Sequence, residues 1–180
     1  MKIYQLNGNS SNYMTPYFEP NNVLKKRVGI KFLFNTTPKS YSEDWEPLEL
    51  SIKACDSAPV IPTLSRWQNY LVLHASAYKV LESTLNPFGE FLPCTYQGTA
   101  FYLFNPLTIA EDLDAVIADS VTRNGNLLSG IAFNQEKLEG VPVFRTKESN
   151  ISNYCTEAFK EIVESEKLDG LIFSSNLTHD

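Results

Sequence analysis

Histidine is the side chain that changes charge most readily near neutral pH, and the chain holds two, His74 and His179. His74 closes an apolar run just ahead of a helical repeat. There its ring can cap or pack, or it can act as an acid-base group with Glu90 or another nearby carboxylate. His179 lies in a tail expected to fray. Three cysteines, Cys55, Cys94 and Cys155, are dispersed and odd in number, with no Cys-x-x-Cys. That pattern fits ordinary thiols in a reducing compartment better than a disulfide framework or a zinc site. Neither Gly-x-Ser-x-Gly nor a cysteine-protease signature is present. Gly125 and Gly130 have the spacing of a phosphate loop, but Ile131-Ala132 stands where Lys-Ser/Thr would anchor the phosphate. Adjacent acids occur at Glu43-Asp44 and Glu111-Asp112, and such pairs are ordinarily solvated. The sequence therefore assigns no catalytic residue, metal ligand or cofactor site.

Charge is distributed more tellingly than chemistry. The chain has 180 residues, is 43% apolar and 20% charged, and carries a net charge of -6. Residues 1–40 are basic, with Lys2, Lys25, Lys26, Arg27, Lys31 and Lys39 against Glu19 alone. The remainder is strongly acidic. Between Lys79 and Arg123 no cation occurs, while Glu82, Glu90, Glu111, Asp112, Asp114 and Asp119 do. With Glu43, Asp44 and Glu46 these form the candidate partner-binding set. Such a surface repels nucleic acid and attracts a basic protein. No run approaches the roughly 18 apolar residues of a membrane span. The polar turn after Met1-Lys2-Ile3 argues against a signal peptide and for a cytoplasmic protein.

The elements that must position these side chains centre on residues 71–105. An apolar strand comes first, then a helix with Ala77, Val80, Leu81, Thr84 and Leu85 on one face. An Asn86-Pro87 stop and two strands joined by a Gln97-Gly98 turn follow. Phe101 and Leu103 face opposite to Tyr102 and Phe104, so the strand is either sandwiched or part of a binding surface. Before this unit the pattern predicts a first strand over 2–6 and an irregular loop over 7–22. Alternating strands are predicted over 28–34 and 48–52, and an extended Pro-bearing stretch over 57–63. After it come a short helix over 109–118 capped by Thr108, a turn at Asn124-Gly125-Asn126 and a strand over 127–133. The last helix is predicted over 152–167, with Tyr154, Ala158, Ile162 and Val163 on its inner face, then a strand over 168–173. Strands outnumber helices without alternating with them. The reading is α+β, a mostly antiparallel sheet with two main helices packed on it. The chain is expected to be a single domain over 1–180, with 1–40 as a basic N-terminal elaboration of a core over 41–175.

The order of Trp45-Glu46-Pro47, the Pro87-Phe88-Gly89-Glu90-Phe91-Leu92-Pro93 run, Phe101-Tyr102-Leu103-Phe104-Asn105 and Ala110-Glu111-Asp112-Leu113-Asp114 is distinctive as a set. Leu138-Glu139-Gly140-Val141-Pro142-Val143-Phe144-Arg145 and Leu168-Asp169-Gly170-Leu171-Ile172-Phe173 complete it. Over roughly residues 40–175 the chain resembles a family of bacterial immunity proteins found beside polymorphic toxins, formerly a domain of unknown function. The Asn-rich start is longer than in that pattern. The resemblance implies a protein that neutralises a cognate toxin by contact rather than by catalysis, and it brings no catalytic residue with it. Two other classes stay open: a small enzyme using His74 with a nearby carboxylate, and an adaptor module with no toxin partner.

Overall fold

The computed structural model describes residues 1–54, 59–149 and 151–178. Cys55 and His179, both read above, lie outside them. In chain order the first elements are β1 (Ile3–Gly8), β2 (Thr15–Tyr17), the short helices α1 (Pro20–Leu24) and α2 (Gly29–Leu33), β3 (Leu48–Glu49) and β4 (Ser51–Lys53). The central unit is β5 (Leu64–Trp67), β6 (Tyr70–His74), α3 (Ala75–Leu85), β7 (Gly89–Tyr96) and β8 (Thr99–Pro106). Then follow β9 (Thr122–Asn124), β10 (Leu127–Gly130), β11 (Val143–Phe144), β12 (Asn153–Thr156), α4 (Glu157–Ser165) and β13 (Leu171–Ser174).

The fold is α+β and mostly antiparallel. Five strands form the larger sheet in the order β3-β7-β8-β6-β5, four form a second in the order β11-β12-β1-β13, and β2-β4 and β9-β10 are two-stranded ribbons. Only the β3–β7 pairing is parallel among these strands. The hairpin at the heart of the large sheet follows from local chemistry. Tyr96 pairs with Thr99 across Gln97 and Gly98, both at positive φ (47° and 79°), the geometry of a two-residue turn that matches strand twist. At the other end of the hairpin Gly89 is required by space, since a Cβ there would lie 2.3 Å from the Asn105 carbonyl oxygen.

Register sorts the large sheet's side chains onto two faces. Tyr70, Val72, Leu92, Cys94, Phe101 and Leu103 lie on one, and Leu71, Leu73 and Phe104 on the other. Both faces are covered, so β8 is sandwiched. The first face packs against Phe18, Val23, Val28, Phe32 and Tyr41 of the N-terminal segment, with Trp45 and Trp67 alongside. The second packs against Ala77, Leu81 and Leu85 of α3, and also against Leu6, Val143 and Cys155 of the second sheet and Phe159 and Val163 of α4. A third cluster, with Phe133, Phe144 and Tyr154 in mutual ring contact, lies on the far side of the second sheet. Residues 1–40 thus supply both the cover of one sheet face and an inner strand, β1, of the other sheet.

Several local expectations are corrected. Residues 28–34 form α2 rather than a strand. Val28 and Phe32 are one helical turn apart and buried, while Ile30 and Phe34 point outward, and a short run apolar at both spacings does not decide between the two periods. The 48–52 run splits between partners, Leu48–Glu49 pairing with β7 and Ser51–Lys53 with β2. The 7–22 loop contains β2 and the start of α1. The 109–118 helix shrinks to a 3-10 turn over Ala110–Leu113, ended by Asp114 at φ 52°. Thr108 caps nothing there; its hydroxyl donates to the Phe88 carbonyl at 3.2 Å. The 127–133 strand stops at Gly130. The last helix begins at Glu157, because Asn153–Thr156 is already committed to pairing with β1, and Tyr154 therefore belongs to a strand.

Candidate functional site

Glu90 is half-buried in a polar seam. Its Oε1 accepts from the Tyr41 backbone N–H at 2.8 Å and from Asn105 Nδ2 at 2.7 Å, and its Oε2 accepts from Ser40 Oγ at 2.6 Å. Asn105 also donates to the Lys39 carbonyl at 2.8 Å. Tyr70 donates to Phe32 O at 3.0 Å and Tyr41 to Lys31 O at 2.9 Å. Asn69 and Arg145 both donate to the carbonyl of Asn35. The seam holds the backbone of residues 31–41 onto the sheet.

Arg145 was missed as a site residue. It is 1% exposed, makes no ion pair among the described residues, and its Nε has no hydrogen-bond partner there. Burial pushes its pKa down to about 10, so it remains a cation at neutral pH. The available signal was an Arg ending the apolar Val141-Pro142-Val143-Phe144 run, a position where burial carries a charge inward.

His74 is a cap. Its Nδ1 accepts from the Ser76 backbone N–H at 3.3 Å and lies 2.8 Å from Ser76 Oγ, at the start of α3, where an acceptor satisfies an otherwise orphaned donor. The ring packs edge-on against Phe101 and lines an open cavity of about 400 Å³ with Thr63, Ser76, Tyr96 and Gln97. Glu90 and His74 share a sheet face, but His74 pairs with Phe101 and Glu90 with Asn105. Four residues along the strands and two strand spacings across β8 separate the two, roughly 16 Å. They cannot form a hydrogen-bonded couple as placed. Behind Thr63 of this cavity's wall, Asp169 is engaged by the Thr63 backbone N–H at 2.7 Å and hydroxyl at 2.8 Å. The two thiols among the described residues are held un-ionised: burial pushes Cys94 up to about 12 and raises Cys155 as well, and an un-ionised thiol is a poor nucleophile.

The nine candidate acids fall in separate places. Glu43 and Asp44 are exposed on the N-terminal cover. Beside them Glu46 accepts from the Arg27 backbone N–H and Lys26 Nζ, each at 3.3 Å, and these bonds lower its pKa. Glu82 lies on α3, over the opposite face of the large sheet, and accepts from Tyr78 Oη. The third group converges. Glu111, Asp114 and Glu148 line a cleft of about 360 Å³ with Val116, Ala118 and Val121. Asp119 is exposed on the adjoining turn. Glu111 Oε1 accepts from Thr146 Oγ1 and the Lys147 backbone N–H, while its Oε2 is buried with no partner among the described residues. Two rim charges are already paired, Asp112 with Lys147 at 2.7 Å and Glu148 with Arg123 at 2.7 Å. Glu148 did not enter the sequence-based set, since only folding brings it next to Glu111.

No protein-family model and no curated protein matches the chain. Among the described residues no His, Cys, Asp or Glu group of three converges to hold a metal, and no helix is long and apolar enough to cross a membrane.

Proposed function

We propose that the protein is an immunity protein, acting in the cytoplasm to bind and neutralise a cognate toxin by direct contact, with the Glu111–Asp114–Glu148 cleft as the docking point. The single observation that carries this is the cleft's composition. Glu111, Asp114 and Glu148 line it together with Val116, Ala118 and Val121, and Ile117 stands 45% exposed beside it. A lysine or arginine of a basic partner would reach the carboxylates while an apolar neighbour covers the valines and Ile117. Charge complementarity of this kind speeds association, and buried anchors set its lifetime. The sequence resemblance supplies the identity of the partner class. The α+β scaffold, with α3 and α4 packed on its sheets, presents the cleft and supplies no chemistry in this reading.

The test is protection of cells that co-express the toxin encoded beside this gene. An Asp114→Lys/Glu148→Lys variant is expected to lose protection and to capture the toxin at least about tenfold more weakly, a change of about 1.4 kcal/mol. The loss should be larger at low salt, where charges are less screened. Full protection by the folded variant would remove this cleft from the interface. Failure of the unmodified protein to protect would remove the immunity reading itself.

A further inference from the structure

On the opposite charge pole, residues 31–41 enclose a second cavity of about 410 Å³, lined by Lys31, Phe34, Asn35, Thr37, Lys39 and Tyr41. That volume is within the range of small-molecule sites. Lys31 and Lys39 are exposed, and neither pairs with a carboxylate among the described residues. Lys39 Nζ sits 5.8 Å from the centre of the Tyr41 ring. Phe34 is 68% exposed at the rim, a large ring left in water. Asn35 forms part of the wall, and directly behind it is the buried guanidinium of Arg145, bonded to the Asn35 carbonyl.

This arrangement leaves a cation buried without a counter-ion among the described residues. Removing a charge from water is costly unless it is paired. Glu90 on the same seam accepts only from neutral donors, Ser40, Tyr41 and Asn105, so one carboxylate stands against the three cations Lys31, Lys39 and Arg145. Two lysines in front and one guanidinium behind the wall therefore focus positive potential into a single concavity. The Phe34 ring at its mouth would cover a flat group, with the buried Tyr41 in the wall beneath.

We propose that this cavity binds an oxyanion carried on a planar ring, a phosphate ester or a carboxylate, with Lys31 and Lys39 contacting the anion and Phe34 the ring. Arg145 acts through the wall as a positioning charge and does not touch the ligand. The site lies on the N-terminal cover and does not depend on the toxin-binding reading of the acidic cleft.

The test is calorimetric titration of the full chain with AMP, benzoate and adenosine. At least one anion is expected to bind with millimolar or better affinity, and adenosine at least about tenfold more weakly than AMP if AMP is the ligand that binds. Binding of AMP without benzoate assigns a phosphate ester; the reverse assigns a carboxylate. A Lys31→Ala/Lys39→Ala variant is expected to lose at least about tenfold in affinity at unchanged Tm, because both side chains are in solvent. Added salt should weaken binding in the unmodified protein. Arg145→Met is a weaker probe, since it also removes a bond that holds the cover, so the lysine pair carries the test. The proposal is overturned if neither anion binds at about 10 mM, if adenosine binds as well as AMP, or if the double-lysine variant binds as tightly as the original.

Discussion

The two faces of the five-stranded sheet are covered by different means. Over one, α3 lays Ala77, Leu81 and Leu85 onto Leu71, Leu73 and Phe104. A helix satisfies its interior backbone hydrogen bonds by itself, so this interface can be almost wholly apolar. Over the other lies a chain of short turns and two five-residue helices whose rings, Phe18, Phe32, Tyr41 and Trp45, pack on Trp67 and Tyr70 of the sheet. Such a segment pairs only part of its own backbone, and the remaining buried carbonyls and N–H groups must be paired elsewhere. Tyr41, Asn69, Tyr70, Asn105, Glu90 and Arg145 supply those bonds. Polar residues on the sheet's inner face are thus the counterpart of an irregular cover. Their presence is a requirement of the fold before it is a sign of chemistry.

The largest effects should come from the anchors of the two covers. Phe32→Ala removes a ring that meets Phe18, Tyr41, Trp45, Trp67 and Tyr70 and should cost about 3–5 kcal/mol, and Leu81→Ala about 2–5 kcal/mol. The two should differ in kind. Phe32→Ala is expected to lose near-ultraviolet circular dichroism from Trp45 and Trp67 with little change in helix and strand signal, whereas Leu81→Ala lowers both together on heating. Identical behaviour of the pair would show that the covers do not open separately. Glu90→Gln places an amide nitrogen among donors and should cost about 1–3 kcal/mol. A urea midpoint equal to the unmodified protein's would mean the seam does not hold the cover.

Each cover also shields one thiol, Cys94 under the aromatic face and Cys155 on the aliphatic side. In a Cys55→Ser background, Cys94 is expected to react with a thiol reagent faster than Cys155, because sub-global opening exposes the less regular layer first. Equal rates would break the distinction. The same thiols set a pH dependence. Cys94 is raised from 9.0 to about 12 in the fold, so above pH 9.0 the unfolded chain releases a proton that the folded chain keeps. Their contribution is complete below that point and declines as pH rises. Arg145, lowered from 12.5 to about 10, acts in the opposite sense at higher pH, where the unfolded chain still holds its proton. Urea unfolding at about pH 8 and about pH 10 should therefore show a drop in stability. The drop should shrink when both buried cysteines are replaced by alanine, leaving the part due to Tyr41 and Tyr70, whose hydroxyls burial also raises. Smaller still is His74→Ala, which removes a cap and should cost about 1 kcal/mol or less without altering partner capture. A loss of biological activity in the folded variant would revive an acid-base role for His74.

The central unit was readable because its signals are local. The α3 face repeats at helical spacing, Asn86-Pro87 stops it, and Gln97-Gly98 turns the hairpin. The residues missed were those whose role is set by distant chain. Residues 28–34 are apolar at two spacings at once, and only burial of Val28 and Phe32 beneath the sheet selects the helix. Tyr154 looked helical because its strand partners are β1 and β11, one of them at the other end of the chain. Arg145 and Glu148 carry no local mark of burial or clustering, and the acids expected to share one surface were divided by the sheet running between them.

The placement of β1 bears on how this protein is made. Ile3 pairs with Thr156 and Leu6 with Phe173, so during synthesis β1 waits for about 150 more residues before either neighbour exists. At translation rates of roughly 5–20 residues per second, that is about 8–30 s with both hydrogen-bonding edges unpaired. During that interval the nascent chain would carry an open strand susceptible to pairing with another copy. A holding chaperone, or slow closure after release, is the natural counterpart of a sheet assembled from both ends of the chain.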